Sequence, residues 1–281
     1  MSPTTIKISV LLAASACAGG LAGRLQTEPT RLTFLSVGQG DCAVFQTAGH
    51  TMLIDVGPKT QWSDAGKKIV LPDLRRMGVD SIDLIFLSHP DTDHIGGLGA
   101  LLNGLPVGRV CMSSAFAHYE PLLAHLRSAG CTASETIWLG PGQRAQIGDF
   151  WVEIDCPPWH DGEPDNDGSE FVKISGDGAT AVFSGDASAG AEARMMPGHD
   201  WSAQILKLGH HGSKSASSEG WLEAVHPQWA VVSCGRDNTY GHPHKVVLDR
   251  VQHLGIKLAR TDRDGDVTFE LGPHGWVRDP R

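Results

Sequence analysis

The six residues His89-Pro90-Asp91-Thr92-Asp93-His94 pack two imidazoles and two carboxylates directly after the apolar run Ile82-Asp83-Leu84-Ile85-Phe86-Leu87 and directly before Gly96-Gly97. Two carboxylates held about 4 Å apart repel by roughly 4 kcal/mol at an effective dielectric near 20. A divalent cation reverses that sign, so the cluster predicts a metal site. The apolar run predicts a buried strand, and the paired glycines predict a sharp turn into a helix that starts on Leu98. The ligands then sit on a strand-to-helix loop, where rigid elements commonly hold functional groups. A solvated acidic turn with two incidental histidines would leave the alternating spacing unexplained.

The chain has 281 residues, 41% of them hydrophobic, with no low-complexity segment, long charge run or Pro/Gly/Ser-rich linker to divide it. One domain with a sizeable core is expected. A formal net charge of -9 argues against an extended polyanion-binding surface, though a bound metal can still recruit a phosphoester locally. Near the start, Lys7, the apolar stretch Ile8 to Ala16 and the small residues around Cys17 resemble a signal peptide with Ala14-Ser15-Ala16 as its cleavage site. Such a stretch is too short to span a bilayer, which takes about 20 residues, so the mature chain is expected to lack a transmembrane span. Cys17 stands where bacterial lipoproteins carry a lipid anchor, although Ala14 replaces the usual Leu; an ordinary apolar strand or helix is the other reading. Cys42, Cys111, Cys131, Cys156 and Cys234 contain no Cys-x-x-Cys. Cys111 with Cys131 is one candidate disulfide, and buried small hydrophobes are the other reading.

Strand-like runs Leu32–Val37, Cys42–Phe45 and Thr51–Val56 predict a meander, after which helical and strand-like runs alternate. Helices are expected over 69–77, 121–128, 189–195 and 245–254, and strands over 82–87, 150–154, 171–174, 180–183, 204–208 and 229–233, with two more near Ile256 and Val267. Two halves of strands and helices predict two sheets packed face to face with helices outside. Two later strands also end in ligand types: Val182-Phe183 leads to Ser184-Gly185-Asp186, and Ile205 to Leu208 leads to Gly209-His210-His211-Gly212. Converging strand ends would bring His89, Asp91, Asp93, His94, Asp186 and His210 together.

These motifs, His89-x-Asp91-x-Asp93-His94, Ser184-Gly185-Asp186 and Gly209-His210-His211-Gly212-Ser213, resemble the ordered motifs of the metallo-β-lactamase superfamily, and Asp55 matches the acidic residue it keeps before its metal loop. Phe34-Leu35-Ser36-Val37-Gly38-Gln39-Gly40-Asp41, His210 to Lys214 and Tyr240-Gly241-His242-Pro243-His244 resemble the ComEC-type branch, the hydrolase domain of DNA-uptake proteins. The resemblance implies a single α/β (α+β) domain, a four-layer αββα sandwich, over 31–276. It would follow a signal peptide at 1–16 and a linker at 17–30 that begins with Cys17, the candidate lipidation site. The chain would be an exported bacterial protein, periplasmic, extracellular or membrane-tethered.

The resemblance also implies two divalent ions, with His89 and Asp91 on one, Asp93, His94 and His210 on the other, and Asp186 bridging; His211 stays open as the ligand in place of His210. Most superfamily members have His at position 91; the ComEC-type branch shares Asp91 but usually has Asp in place of Ser36. The usual third-motif histidine is missing. Asp165 in Asp165-Asn166-Asp167-Gly168-Ser169 is a candidate ligand in its place, Asn166 a loop-fixing or substrate-contacting residue, and His160 a surface histidine. An oxygen-rich set suits manganese or magnesium, while zinc binds mixed sites more tightly, so zinc and manganese both stay open. Water bridging two ions supplies hydroxide near neutral pH, with Asp93 orienting it or passing on its proton. His242 is expected to act on the substrate as an acid or hydrogen-bond donor, with His244 and Ser213 contacting it. Lys214 reads equally as a phosphate contact and as a solvated lysine. The expected activity is metal-dependent hydrolysis of a phosphodiester or nucleotide-containing substrate, single-stranded DNA among them. The competing readings are an amide or ester hydrolase acting on β-lactams or lactones, and a non-catalytic metal-dependent binding module.

Overall fold

The expected meander forms as β1 (Arg31–Phe34), β2 (Ala43–Thr47) and β3 (His50–Ile54). In the computed structural model, residues 29–132, 135–160 and 162–280 are described. The signal segment 1–16, Cys17 and all but the end of the 17–30 linker lie outside the described residues. The strand before the His89-to-His94 loop is β4 (Ile82–Leu87), parallel to β3, and β5 (Val107–Ser113) and β6 (Thr136–Leu139) continue the parallel run. Between them run α1 (Leu71–Arg76), α2 (Thr92–Ile95), α3 (Leu98–Gly104) and α4 (Glu120–Ala129).

The second sheet starts antiparallel with β7 (Gln143–Ile147), β8 (Phe150–Asp155), β9 (Phe171–Gly176) and β10 (Ala179–Phe183). It turns parallel through β11 (Ile205–Lys207), β12 (Trp229–Val232) and β13 (Lys257–Arg260). Helices α5 (Ala189–Met195), α6 (Glu219–Val225), α7 (Lys245–His253) and α8 (Thr261–Asp264) accompany it. The chain then returns to the first sheet as β14 (Val267–Gly272) and β15 (Gly275–Arg278), β14 pairing with β1. The result is an eight-stranded sheet, β15-β14-β1-β2-β3-β4-β5-β6, facing a seven-stranded one, β13-β12-β11-β10-β9-β8-β7.

Strand periodicity builds the layers. Met52 and Ile54 of β3 enter the core between the sheets, whereas Leu53 enters the core under the helices. Between the sheets, Phe34 stacks on Phe183 with centroids 5.7 Å apart, and Phe45 meets the edge of Phe150 at 5.0 Å. Leu98, Leu101, Leu122 and Leu126 cover the outer face of the first sheet. Ala191, Met195, Trp221, Val247 and Val251 cover that of the second. A fully buried side chain of this size contributes roughly 1.5–3 kcal/mol. The fold is the expected αββα sandwich in a single domain.

Several elements escaped the sequence reading, namely β5, β6, β7, β15, α2, α6 and α8. In β7, Arg144 and Gln146 face solvent between buried Ala145 and Ile147, so the apolar signal is only two residues long. Helix α6 has seven residues with Gly at its second position. Helix α3 starts on Leu98 as expected, but Gly96 and Gly97 have ordinary helical φ values of -58° and -74°. They are required by close approach, since a Cβ on Gly97 would lie 2.1 Å from the Val56 carbonyl oxygen and one on Gly96 2.3 Å from the Lys59 nitrogen. Cys111 and Cys131 are free thiols, like Cys42, Cys156 and Cys234. No helix among the described residues is long and apolar enough to cross a membrane.

Candidate metal centre

The parallel strands end on one rim, and the carboxyl ends of such strands are where open α/β sheets place ligands. From the first sheet, β3 delivers Asp55 and β4 delivers the loop Ser88 to His94. From the second, β10 delivers Asp186 and β11 delivers His210 and His211.

Asp55 organises the first contribution from behind, in the left-handed region at φ 60°. Its Oδ1 accepts from the Ser88 amide at 2.8 Å, and its Oδ2 accepts from Ser88 Oγ at 2.8 Å and His94 Nδ1 at 2.8 Å. Because the Ser88 hydroxyl donates to Asp55, His89 Nδ1 donates to Ser88 Oγ, 3.0 Å away. Each imidazole is thereby tied at Nδ1 and turns Nε2 forward. The Nε2 atoms of His89 and His94 are buried and have no hydrogen-bond partner. An orphaned imidazole nitrogen held by a carboxylate at its other edge is how proteins present histidine to a metal.

The other donors face these nitrogens. Asp186 Oδ1 lies 3.4 Å from His94 Nε2, and its Oδ2 lies 3.4 Å from His211 Nε2 and 3.8 Å from His210 Nε2. His211 Nδ1 donates to the Ser233 carbonyl at 3.0 Å, and its Nε2 meets Asp93 Oδ2 at 3.1 Å. Asp91 is the N-cap of α2 but makes no capping bond; its Oδ2 stands 3.4 Å from His89 Nε2. Donor atoms of Asp41, His94, Asp186 and His211 all lie within 4.8 Å of one another.

The charges respond to this crowding. Burial opposes a charged ring at His211, yet the Asp186 and Asp41 carboxylates outweigh it and raise its pKa to about 9. His94 rises against burial in the same way, through Asp186 and Asp55. Burial pushes Asp186 up, but the His211 and His94 charges carry it well below the usual carboxylate value. Asp93 is likewise lowered, His211 and His94 outweighing burial. Protons thus balance the carboxylates where a divalent cation would do so, and the donor set fits such an ion.

His210 is a third exposed and sits beside Asn166, whose Nδ2 is 3.4 Å from His210 Nδ1. His211, buried at 2% exposure, is the histidine of the pair that meets Asp93. Asp165 accepts from the Tyr119 hydroxyl at 2.8 Å and lies outside the compact cluster. His160 is exposed. At the rim, the rings of His242 and His210 are 5.7 Å apart, and those of His242 and His244 are 4.9 Å apart. Gln39 Oε1 accepts from the Gly235 amide at 3.1 Å, which points its Nε2 at His242 Nδ1, 3.4 Å away. His242 therefore accepts at Nδ1 and carries its proton at Nε2. Burial and the charges of His211 and His210 lower its pKa to about 4. Lys214 is exposed, its amide donating to His244 Nδ1 at 3.2 Å, and Ser213 Oγ accepts from Ser215 Oγ at 3.0 Å.

Ser88, Asp41, Lys207 and His211 are the site residues that the ligand pattern did not single out. His211 was signalled by the doublet itself, and Asp41 by its place after Gly38-Gln39-Gly40. Lys207 gives no such signal, being a lysine in a buried strand.

Residues 35–236 match the family model described as the metallo-beta-lactamase superfamily, and the chain belongs to that superfamily. Within it, the chain is 30% identical over 253 residues to ComE operon protein 3 of Bacillus subtilis, covering 84% of this chain and 32% of that protein. It is 33% identical over 246 residues to competence protein ComA of Neisseria gonorrhoeae, covering 87% and 33%. These likenesses support the ComEC-type branch, and the chain spans about a third of the length of the curated relatives it matches. Among solved structures, the diiron β-hydroxylase CmlA of Streptomyces venezuelae aligns with a TM-score of 0.62 at 16% identity, over 87% of this chain and 54% of that one. YhfI of Bacillus subtilis aligns at 0.57 and 12% identity, over 86% and 99%. At such identities the likeness is one of fold.

Proposed function

We propose that this metal-dependent hydrolase fold cleaves phosphodiester bonds in a nucleotide-containing substrate such as single-stranded DNA, using two zinc or manganese ions. The observation that carries the reading is the convergence of the His89, His94 and His211 Nε2 atoms on the Asp93, Asp91 and Asp186 carboxylates, with a histidine-rich rim beside them. His89 and Asp91 would hold one ion, Asp93, His94 and His211 the other, and Asp186, whose two oxygens face different imidazoles, would join them. His210 stands close enough to Asp186 to complete either set.

When bound, such ions stabilise charge on phosphoryl oxygens and lower the pKa of water from 15.7 toward about 7. Asp93, a third exposed beside His211, takes up the proton of the attacking water. His242 presents Nε2–H to the leaving oxygen, a hydrogen bond that strengthens as negative charge develops there. Lys214 and His244 contact the adjoining phosphate. The name of one relative, competence protein ComA, ties that protein to competence, and an exported location, as the Lys7-to-Cys17 segment implies, suits a nucleic acid met outside the cytoplasm.

The test offers purified protein bis-nitrophenyl phosphate, a single-stranded oligonucleotide and a chromogenic β-lactam, each with Mn²⁺ and with Zn²⁺. Turnover of the two phosphodiesters with little on the β-lactam is expected. The opposite order would make the protein an amide hydrolase, and no turnover with tightly bound metal would make it a binding module.

A further inference from the structure

Behind the metal centre lies a buried ion pair that the chemistry above does not use. Lys207, at the end of β11 and 3% exposed, forms an ion pair with Asp41 Oδ2, and its Nζ is 4.0 Å from Asp186 Oδ1. Asp41 approaches the imidazoles from their rear: its Oδ1 is 3.3 Å from His211 Nδ1, and its Oδ2 is 3.8 Å from His94 Nδ1. Those Nδ1 atoms already donate to Ser233 and Asp55, while the Nε2 atoms face Asp93 and Asp186 on the other side. Asp41 thus shares the compact cluster without sharing the side to which the ligand atoms point.

We propose that Asp41 and Lys207 form a fixed charge pair that sets the affinity of the centre for divalent cations from behind, Lys207 as a built-in cation against Asp186 and Asp41 as its counter-charge, with Asp41 not a ligand. The inference rests on the metal-centre reading above. Both charges are buried, so each acts on a neighbouring ion through a medium that screens far less than water. Burying an ion pair costs stability unless both partners stay, and removing one leaves the other uncompensated. Loss of Lys207 alone adds a net negative charge beside the metals. Loss of the Asp41 charge alone adds a net positive one.

The signs of these effects make a double-mutant cycle decisive. Mn²⁺ alone is titrated calorimetrically into chelator-stripped wild type, Lys207→Met, Asp41→Asn and the double variant, each first checked for wild-type circular dichroism. Lys207→Gln replaces the Met variant if that one does not fold. Binding is expected to tighten about tenfold in Lys207→Met and weaken about tenfold in Asp41→Asn. The double variant should return to within about threefold of wild type. Equal weakening in Asp41→Asn and in the double variant would make Asp41 a ligand and overturn the proposal. So would two single variants that shift affinity in the same direction or leave it alone, since packing then explains the pair. Wild type that takes up no Mn²⁺ would remove the metal centre itself, a failure visible before any variant is compared.

Discussion

His242 and Glu170 show how far a single side chain's surroundings decide its chemistry. With Nδ1 facing the Gln39 amide and its pKa lowered to about 4, His242 is a neutral donor at pH 7 and stands at the rim of the ligand set. His242→Ala is expected to cost roughly 10²–10³-fold in phosphodiester turnover, the scale of a lost transition-state hydrogen bond, with metal content unchanged. The deficit should shrink on aryl esters with good leaving groups, and elemental analysis showing a lost ion would turn His242 into a ligand. Glu170 is fully buried, neither carboxyl oxygen has a hydrogen-bond partner, and burial and Asp55 raise its pKa well above the usual value. Burial favours its protonated form in the folded protein, whereas the unfolded chain ionises it at about 4.3. Its contribution to stability is therefore full below about pH 4 and declines as the pH rises toward the folded pKa, by at most about 1.4 kcal/mol per pH unit. Urea unfolding of metal-free Glu170→Gln against wild type should show an advantage for the variant that widens from pH 5 to pH 7. A gap that stays constant with pH would mean that Glu170 ionises within the fold.

The loop that carries His210 and His211 is strained and braced. His210, His211 and Ser217 have φ values of 48°, 53° and 51°, and left-handed non-glycine residues cost about 1 kcal/mol or more each. Glu192 of α5 holds the loop by accepting from the Ser217 amide at 2.6 Å, the Ser218 amide at 3.0 Å and Ser218 Oγ at 2.8 Å. Arg250 of α7 binds the Ser217 carbonyl at 3.1 Å from the other side. Glu192→Ala is expected to destabilise the protein by roughly 2–4 kcal/mol, the range for opening a buried charged network, and to weaken Mn²⁺ binding although Glu192 is no ligand. Unchanged melting and unchanged metal affinity would show that the loop holds its shape unaided. Such braces were invisible in the sequence, because Glu192 on α5 meets Ser217 and Ser218 through tertiary packing that no local pattern encodes. The strand-to-helix loop of the candidate centre was legible, because Ile82 to Leu87 and the following His-x-Asp-x-Asp-His sit within thirteen residues. Strand β7 was not, since its alternation Arg144-Ala145-Gln146-Ile147 becomes meaningful only once the facing sheet is known. The bond that orients His211 toward Asp93 and Asp186 was likewise hidden, because the Ser233 carbonyl that receives its Nδ1 follows β12, far along the chain.

The proposed metal donors come from both sheets: His89, Asp91, Asp93 and His94 from one, Asp186 and His211 from the other. An ion bound there ties the two halves of the sandwich together, so it stabilises the whole fold by its binding free energy, about 2.7 kcal/mol at a hundredfold excess over Kd. Scanning calorimetry should show the melting temperature rising with Mn²⁺ and falling with a chelator; a melting temperature indifferent to both would place any bound ion outside the seam. Asp186, whose two oxygens face His94 and His211 at 3.4 Å each, is the carboxylate around which the proposed centre is built. The decisive measurement is the metal content per chain of wild type and Asp186→Ala after loading with Mn²⁺ or Zn²⁺ and desalting, with phosphodiester turnover read on the same samples. Two ions per chain in wild type, with fewer ions and little turnover in the variant, are expected. Full occupancy and activity in Asp186→Ala would contradict a centre built around this carboxylate.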